Sequence, residues 1–75
     1  MKDHVIRIRH SFFSQSKWRV VRTIQSLNEQ IQLLRVQLLT DTGEDNKRLA
    51  PITIPNTLII EDLGRHKEWL LSNNN

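Results

Sequence analysis

Three histidines, His4, His10 and His66, are the side chains of this sequence best suited to exchange protons near neutral pH. His4 and His10 lie six residues apart, with Asp3 beside the first, on one face of the chain if a strand connects them. A metal site needs ligands that converge. No pair of histidines has the spacing that would place both on one helix face, so exposed histidines are expected and no metal. The absence of Cys removes thiolate ligands, thiol nucleophiles and disulfides. None of the serines stands in a Gly-x-Ser-x-Gly turn, and Gly43 and Gly64 alone make no glycine-rich loop. A chain of 75 residues built on an extended helix also has little room for a substrate pocket. The expectation is a protein that is not an enzyme and carries no cofactor.

The basic residues carry more information. Residues 1–22 hold Lys2, Arg7, Arg9, Lys17, Arg19 and Arg22 against Asp3 alone, a net charge of +5, whereas residues 23–75 are net −2. Clustered Arg and Lys neutralise phosphates, the commonest polyanion of the cell. Phe12, Phe13 and Trp18 interleave with these cations. Aromatic faces so placed stack bases or anchor a core, and anchoring is the simpler reading. The six basic residues are the candidate nucleic-acid contacts, DNA included, of a small non-catalytic regulator or accessory factor. The alternative is a protein–protein interaction adaptor or assembly factor with no nucleic-acid binding. There the Leu33/Val36 side, or an Asn/Gln-rich face, meets an acidic or apolar protein partner.

The elements that would position these residues follow from apolar spacing. Residues 1–10 read as a basic extended arm or strand, with Ile6 and Ile8 on one face and Val5, Arg7 and Arg9 on the other. From Ser11 to Thr40 there is neither Gly nor Pro. Phe13, Val20, Ile24, Leu27, Ile31, Leu34 and Leu38 fall at heptad a and d spacings. The pattern predicts one long helix over about 11–39, capped by Ser11 or Ser14. Such a helix would be about 43 Å long, more than the roughly 30 Å diameter of a compact chain of this size. Its seam would need a second chain, so those seven apolar residues are the expected interface of a homodimer or higher oligomer. The fold expected is mainly α, a coiled-coil-like or bundle homo-oligomer with parallel or antiparallel pairing. A leucine-zipper DNA binder has a comparable layout, but the residues before position 17 are too apolar for its basic helix.

The remainder reads as a polar loop over 41–50, then 51–72 as a Pro-bracketed extended segment and a short helix, then a frayed tail over 73–75. Pro51 and Pro55 bracket Ile52–Ile54, which would be extended or an edge strand, able to pair with residues 5–8. The helix would begin near Thr57, or from 62 after a strand over 57–60. No apolar run reaches the ~20 residues of a membrane span. No signal-peptide pattern opens the chain, so a soluble cytoplasmic protein is the expectation.

Overall fold

Between Trp18 and Ile24 the chain reads Trp-Arg-Val-Val-Arg-Thr-Ile, and five of these seven side chains are β-branched or aromatic. Such side chains fit a pleated surface better than a helix. In the computed structural model, which describes residues 1–73, this segment is a strand. The elements are β1 (His4–Ile8), β2 (Trp18–Ser26), β3 (Gln32–Leu38), β4 (Ile52–Pro55), a 3₁₀ turn (Asn56–Leu58), β5 (Ile59–Arg65) and α1 (His66–Asn73). The fold is therefore mainly antiparallel β. This corrects the expectation of a mainly α coiled coil: no long helix spans 11–39. The argument for a homo-oligomer rested on the length of that helix and falls with it.

A turn replaces the missing helix breaker. The Asn28 side-chain oxygen accepts the N–H groups of Gln30 and Ile31, each at 2.8 Å, and Leu27 N–H donates to Ile31 C=O at 2.8 Å. Asn closes such turns without Gly because its side chain mimics the next peptide unit. The chain reverses there, and β2 and β3 form a hairpin.

The sheet order is β4-β3-β2-β1-β5, every pairing antiparallel. The two edge strands are consecutive in sequence, joined only by the 3₁₀ turn. In a flat sheet they would be ~19 Å apart, four spacings of ~4.8 Å, whereas the step from Pro55 to Ile59 spans at most ~14 Å. The sheet must curl, and it forms a half-barrel. Its concave side holds Ile6, Ile8, Trp18, Val20, Leu34, Val36, Leu38 and Ile54, with Phe13, Ile52, Leu58 and Ile59 packed against them. The period-two sets Ile6/Ile8, Trp18/Val20 and Leu34/Val36/Leu38 point inward together, as strand geometry requires. Residues 52–54 do form an edge strand, but its partner is β3 and not residues 5–8.

The C-terminal helix begins only at His66, after a strand that runs through Gly64. Gly64 sits at φ +93, which suits Gly and not a helix interior. Within 57–60, residues 57–58 close the 3₁₀ turn and 59–60 open β5. Of the expected tail, Asn73 ends α1, and residues 74–75 lie outside the described residues. The polar loop over 41–50 is anchored. Gln37 is buried, and its Nε2 donates to the C=O groups of Leu38, Asn46 and Leu49 at 3.1, 2.8 and 3.1 Å. Gly43 packs beneath Leu70 and Trp69 of α1, and the His66 ring nitrogen Nε2 donates to its carbonyl at 2.7 Å.

Candidate interaction surface

The seven residues expected on a shared seam separate into two groups. Val20, Leu34 and Leu38 are buried in the chain's own core, and Phe13 packs against it. Ile24 and Leu27 are exposed and Ile31 is half-buried, all three at the far end of the β2–β3 hairpin. The heptad spacing arose because Val20, Leu34 and Leu38 also satisfy strand alternation.

The six basic candidates are dispersed. Arg7, on β1, donates to Glu61 at 3.1 Å and, through Nε and Nη2, to Ser14 C=O. Arg19, on β2, makes a two-pronged contact with Asp45 at 3.0 and 2.9 Å and reaches Asp3 at 3.0 Å. The hydrogen bond from Arg19 and its charge hold the Asp45 carboxyl below its ordinary range, against the opposing effect of burial. The same bond raises the Arg19 guanidinium. Two of the six cations are therefore neutralised within the chain. Lys17 lies in the loop before β2, and its Nζ donates to Gln15 C=O at 3.3 Å. Lys2, Arg9 and Arg22 are exposed, on the N-terminal turn, just past the end of β1 and on the outer half of β2. The interleaved aromatics divide likewise: Trp18 is 2% exposed and serves the core, while Phe12 is 86% exposed.

The histidines hold the fold in place. His4 bonds the Asp62 carboxylate at 3.0 Å. Burial pushes the Asp62 carboxyl up, but the Gly64 N–H and His4 outweigh it, and the net shift is downward. His10 Nδ1 accepts the N–H groups of Phe12 and Phe13. Among the described residues no group of three or more His, Asp or Glu could hold a metal ion. A cleft of about 410 Å³ lies between the loop before β2, the end of β3 and α1, and its lining includes Lys17, Asp41 and Trp69. The expectation of little concavity thus understates the surface. Lys17 and Asp41 are not ion-paired there.

The feature that sequence reasoning missed is an open strand edge. β1 pairs with β2 only at Val5↔Arg19 and Ile6↔Trp18, and Asp3 N–H adds one bond to Val20 C=O at 2.7 Å. At Asp3 the backbone turns through φ +63 and leaves the sheet. Beyond Val20, among the described residues, no strand pairs with β2 on its β1 side. Residues 22–27 are all exposed, and Ile24 and Leu27 are large apolar side chains in that stretch. β2 carries two register shifts against β3, at Val20/Arg22 and Thr23/Gln25. Such bulges bend a strand and increase its twist.

Arg35 was also missed as a site residue. It is the register partner of Arg22 across β2 and β3, and the two stand equally far from the Asn28–Glu29 turn. That symmetry is visible in the sequence once the turn is placed. Comparison with protein-family models, with curated proteins and with solved structures finds no match. Among the described residues no helix is long and apolar enough to cross a membrane.

Proposed function

We propose that the protein is a non-catalytic interaction module that takes an extended segment of a partner protein onto the open edge of β2. The observation that carries this is the stretch 21–26, which among the described residues no strand pairs on its β1 side, on a hairpin arm whose exposed side chains include Ile24 and Leu27. A free edge offers main-chain donors and acceptors in a row, and an added strand satisfies them while its side chains meet those of the host. The adaptor reading gains on the nucleic-acid reading because Arg7 and Arg19 are held by acids of the chain itself, and Lys2, Arg9, Lys17 and Arg22 lie on different elements.

Selection from a displayed library of random peptides tests the reading. Enriched peptides are expected to slow amide hydrogen exchange at 21–26 and to lose binding in Ile24→Pro, which removes the N–H of a residue that has no register partner on β3. Enriched peptides that leave those amides unchanged would overturn it. Salt-dependent binding to DNA or RNA that is lost when Lys2, Arg9 and Lys17 are replaced would return the preference to the nucleic-acid reading.

A further inference from the structure

Resting on the strand-addition reading, we infer that the captured segment is acidic, and that one of its carboxylates lies against the paired guanidinium groups of Arg22 and Arg35. These two arginines are direct cross-strand partners. Arg35 alternates with the buried Leu34 and Val36, so it stands on the convex face, and Arg22 shares that face as its partner. Like charges placed opposite each other destabilise a sheet, because their Cβ atoms are only about 5 Å apart. Of the three other strand arginines, the chain neutralises two, Arg7 with Glu61 and Arg19 with Asp45 and Asp3, while Arg65 ends β5 without an ion pair among the described residues. Among the described residues neither Arg22 nor Arg35 has an ion pair or a side-chain hydrogen bond. The convex neighbour beyond Arg35 is Thr53 of β4, which adds no negative charge. Between Val20 and Val36 the one acid is Glu29, in the turn. An uncompensated pair of cations therefore lies beside an uncompensated strand edge.

The two features together select the occupant. A strand added to β2 would lie ~4.8 Å away, with its side chain opposite Arg22 at cross-strand contact distance. A second copy of this chain, added edge to edge, would gather four arginines on one face, and charge on an edge is a known guard against self-pairing. A nucleic-acid backbone supplies negative charge but no alternating N–H and C=O groups to satisfy the edge. An extended acidic peptide supplies both, and Arg binds carboxylate through two parallel N–H donors.

The probe is a short end-blocked peptide of alternating valine and glutamate, compared with its glutamine counterpart. The glutamate peptide is expected to slow exchange at amides 21–26 and to bind about tenfold or more tightly than the glutamine peptide, a gap that shrinks with salt. The gap should vanish in the double variant Arg22→Gln/Arg35→Gln and survive in Arg22→Lys/Arg35→Lys. The double glutamine variant removes a repulsion, so its thermal midpoint should not fall; Arg22→Gln alone serves if it does. Equal binding of the two peptides at the edge, or a gap unchanged by the glutamine substitutions, would overturn the acidic partner and leave strand addition standing. Failure of both peptides to protect 21–26 would remove strand addition itself. An oligothymidylate that displaces the peptide, with the same dependence on both arginines, would overturn the choice of peptide over phosphate.

Discussion

Strand β2 is two strands in one. Its first three residues, Trp18 to Val20, are clamped between β1 and β3, and Trp18 and Val20 are fully or nearly fully buried. Its last five, Arg22 to Ser26, are exposed and bonded on one side only. The sequence carries no abrupt change of type between the halves, since Val21, Thr23 and Ile24 are as β-branched as Val20. What differs is the neighbour. The chain leaves the sheet at Asp3, and from there outward, among the described residues, the hairpin has no third strand on that side. Strand propensity thus makes β2, and the length of β1 decides which part of it is core and which part is offered to the surroundings.

The largest contrast is energetic. Leu34 lies wholly in the core, and Leu34→Ala should destabilise the protein by ~3 kcal/mol in urea unfolding. Ile24→Ala, on the arm, should stay within ~0.5 kcal/mol. Comparable costs at the two sites would mean that the arm is covered, and the division of β2 would be lost. The next effect is smaller and sits at the closed end. A Cβ on Gly43 would approach Leu70 Cδ2 to 2.5 Å and Trp69 Cζ3 to 2.7 Å, at φ +86. At Gly64, φ +93, a Cβ meets nothing within 4 Å. Gly43→Ala should therefore cost ~2 kcal/mol and loosen α1 from the loop, and Gly64→Ala ~1 kcal/mol from backbone strain alone. Thermal unfolding of the two variants ranks them, and the opposite order would remove Gly43 as the seat of α1.

Parts of this division were legible in the residues. The alternation of Ile6 and Ile8 marks β1, and the prolines at 51 and 55 mark the short edge strand. The hairpin was not. Val20, Leu34 and Leu38 fit a heptad and an alternating strand equally well, and the turn between them contains neither Gly nor Pro. Only the β-branched run Val20–Ile24 and the turn-forming capacity of Asn28 distinguish the two, and both are local signals that a long apolar period outweighs. The site was hidden for a different reason. Net charge located a basic N-terminal third, but charge along a chain says nothing of which acids fold back on it. Asp45 and Glu61 are far from Arg19 and Arg7 in sequence and bonded to them in space. Arg35, counted with the acidic remainder, is the one that stands beside Arg22.

Acid separates the halves by roughly one ion pair. Asp45 has a folded-state pKa below its unfolded value, through its bond to Arg19, and so does Asp62, through Gly64 and His4. A depressed carboxyl contributes stability that is fully present above the unfolded value, near pH 4, and is lost as pH falls through the folded one. Unfolding followed from pH 6 downward should show stability falling below about pH 4, and Asp45→Asn should remove part of that fall. The pair is partly exposed, 20% and 38% at the two side chains, so its contribution is about 1 kcal/mol or less. Exchange at arm amides 22–26, which β3 alone covers, should respond least. A fall in stability unchanged by Asp45→Asn would mean that the closed end does not rest on this contact.

The smallest effect is the most pointed, because its sign is unusual. Most substitutions destabilise a protein, and removing an arginine from a strand usually loses a contact. Arg22 and Arg35 have no side-chain hydrogen bond or ion pair to lose among the described residues, and each faces the other's charge across the ladder. Replacing either by Gln keeps the length and polarity of the side chain and removes the repulsion, so each single variant should be more stable by ~0.2–0.5 kcal/mol. The gain should fade as salt rises, since the repulsion is between exposed charges that ions screen. It should also fail to double in the combined variant, because a pair has one repulsion and either substitution removes it. Arg7→Gln and Arg19→Gln are the matched controls at the closed end. There the acid left behind is Glu61 in one case and Asp45 with Asp3 in the other, and the sign should reverse. Four of the five strand arginines would then sort into two that hold the fold together and two that the fold carries at a cost. A loss of stability on replacing Arg22 or Arg35 would show that the arm's arginines serve the chain itself, and it would remove the reason to seek their counter-charge on a partner.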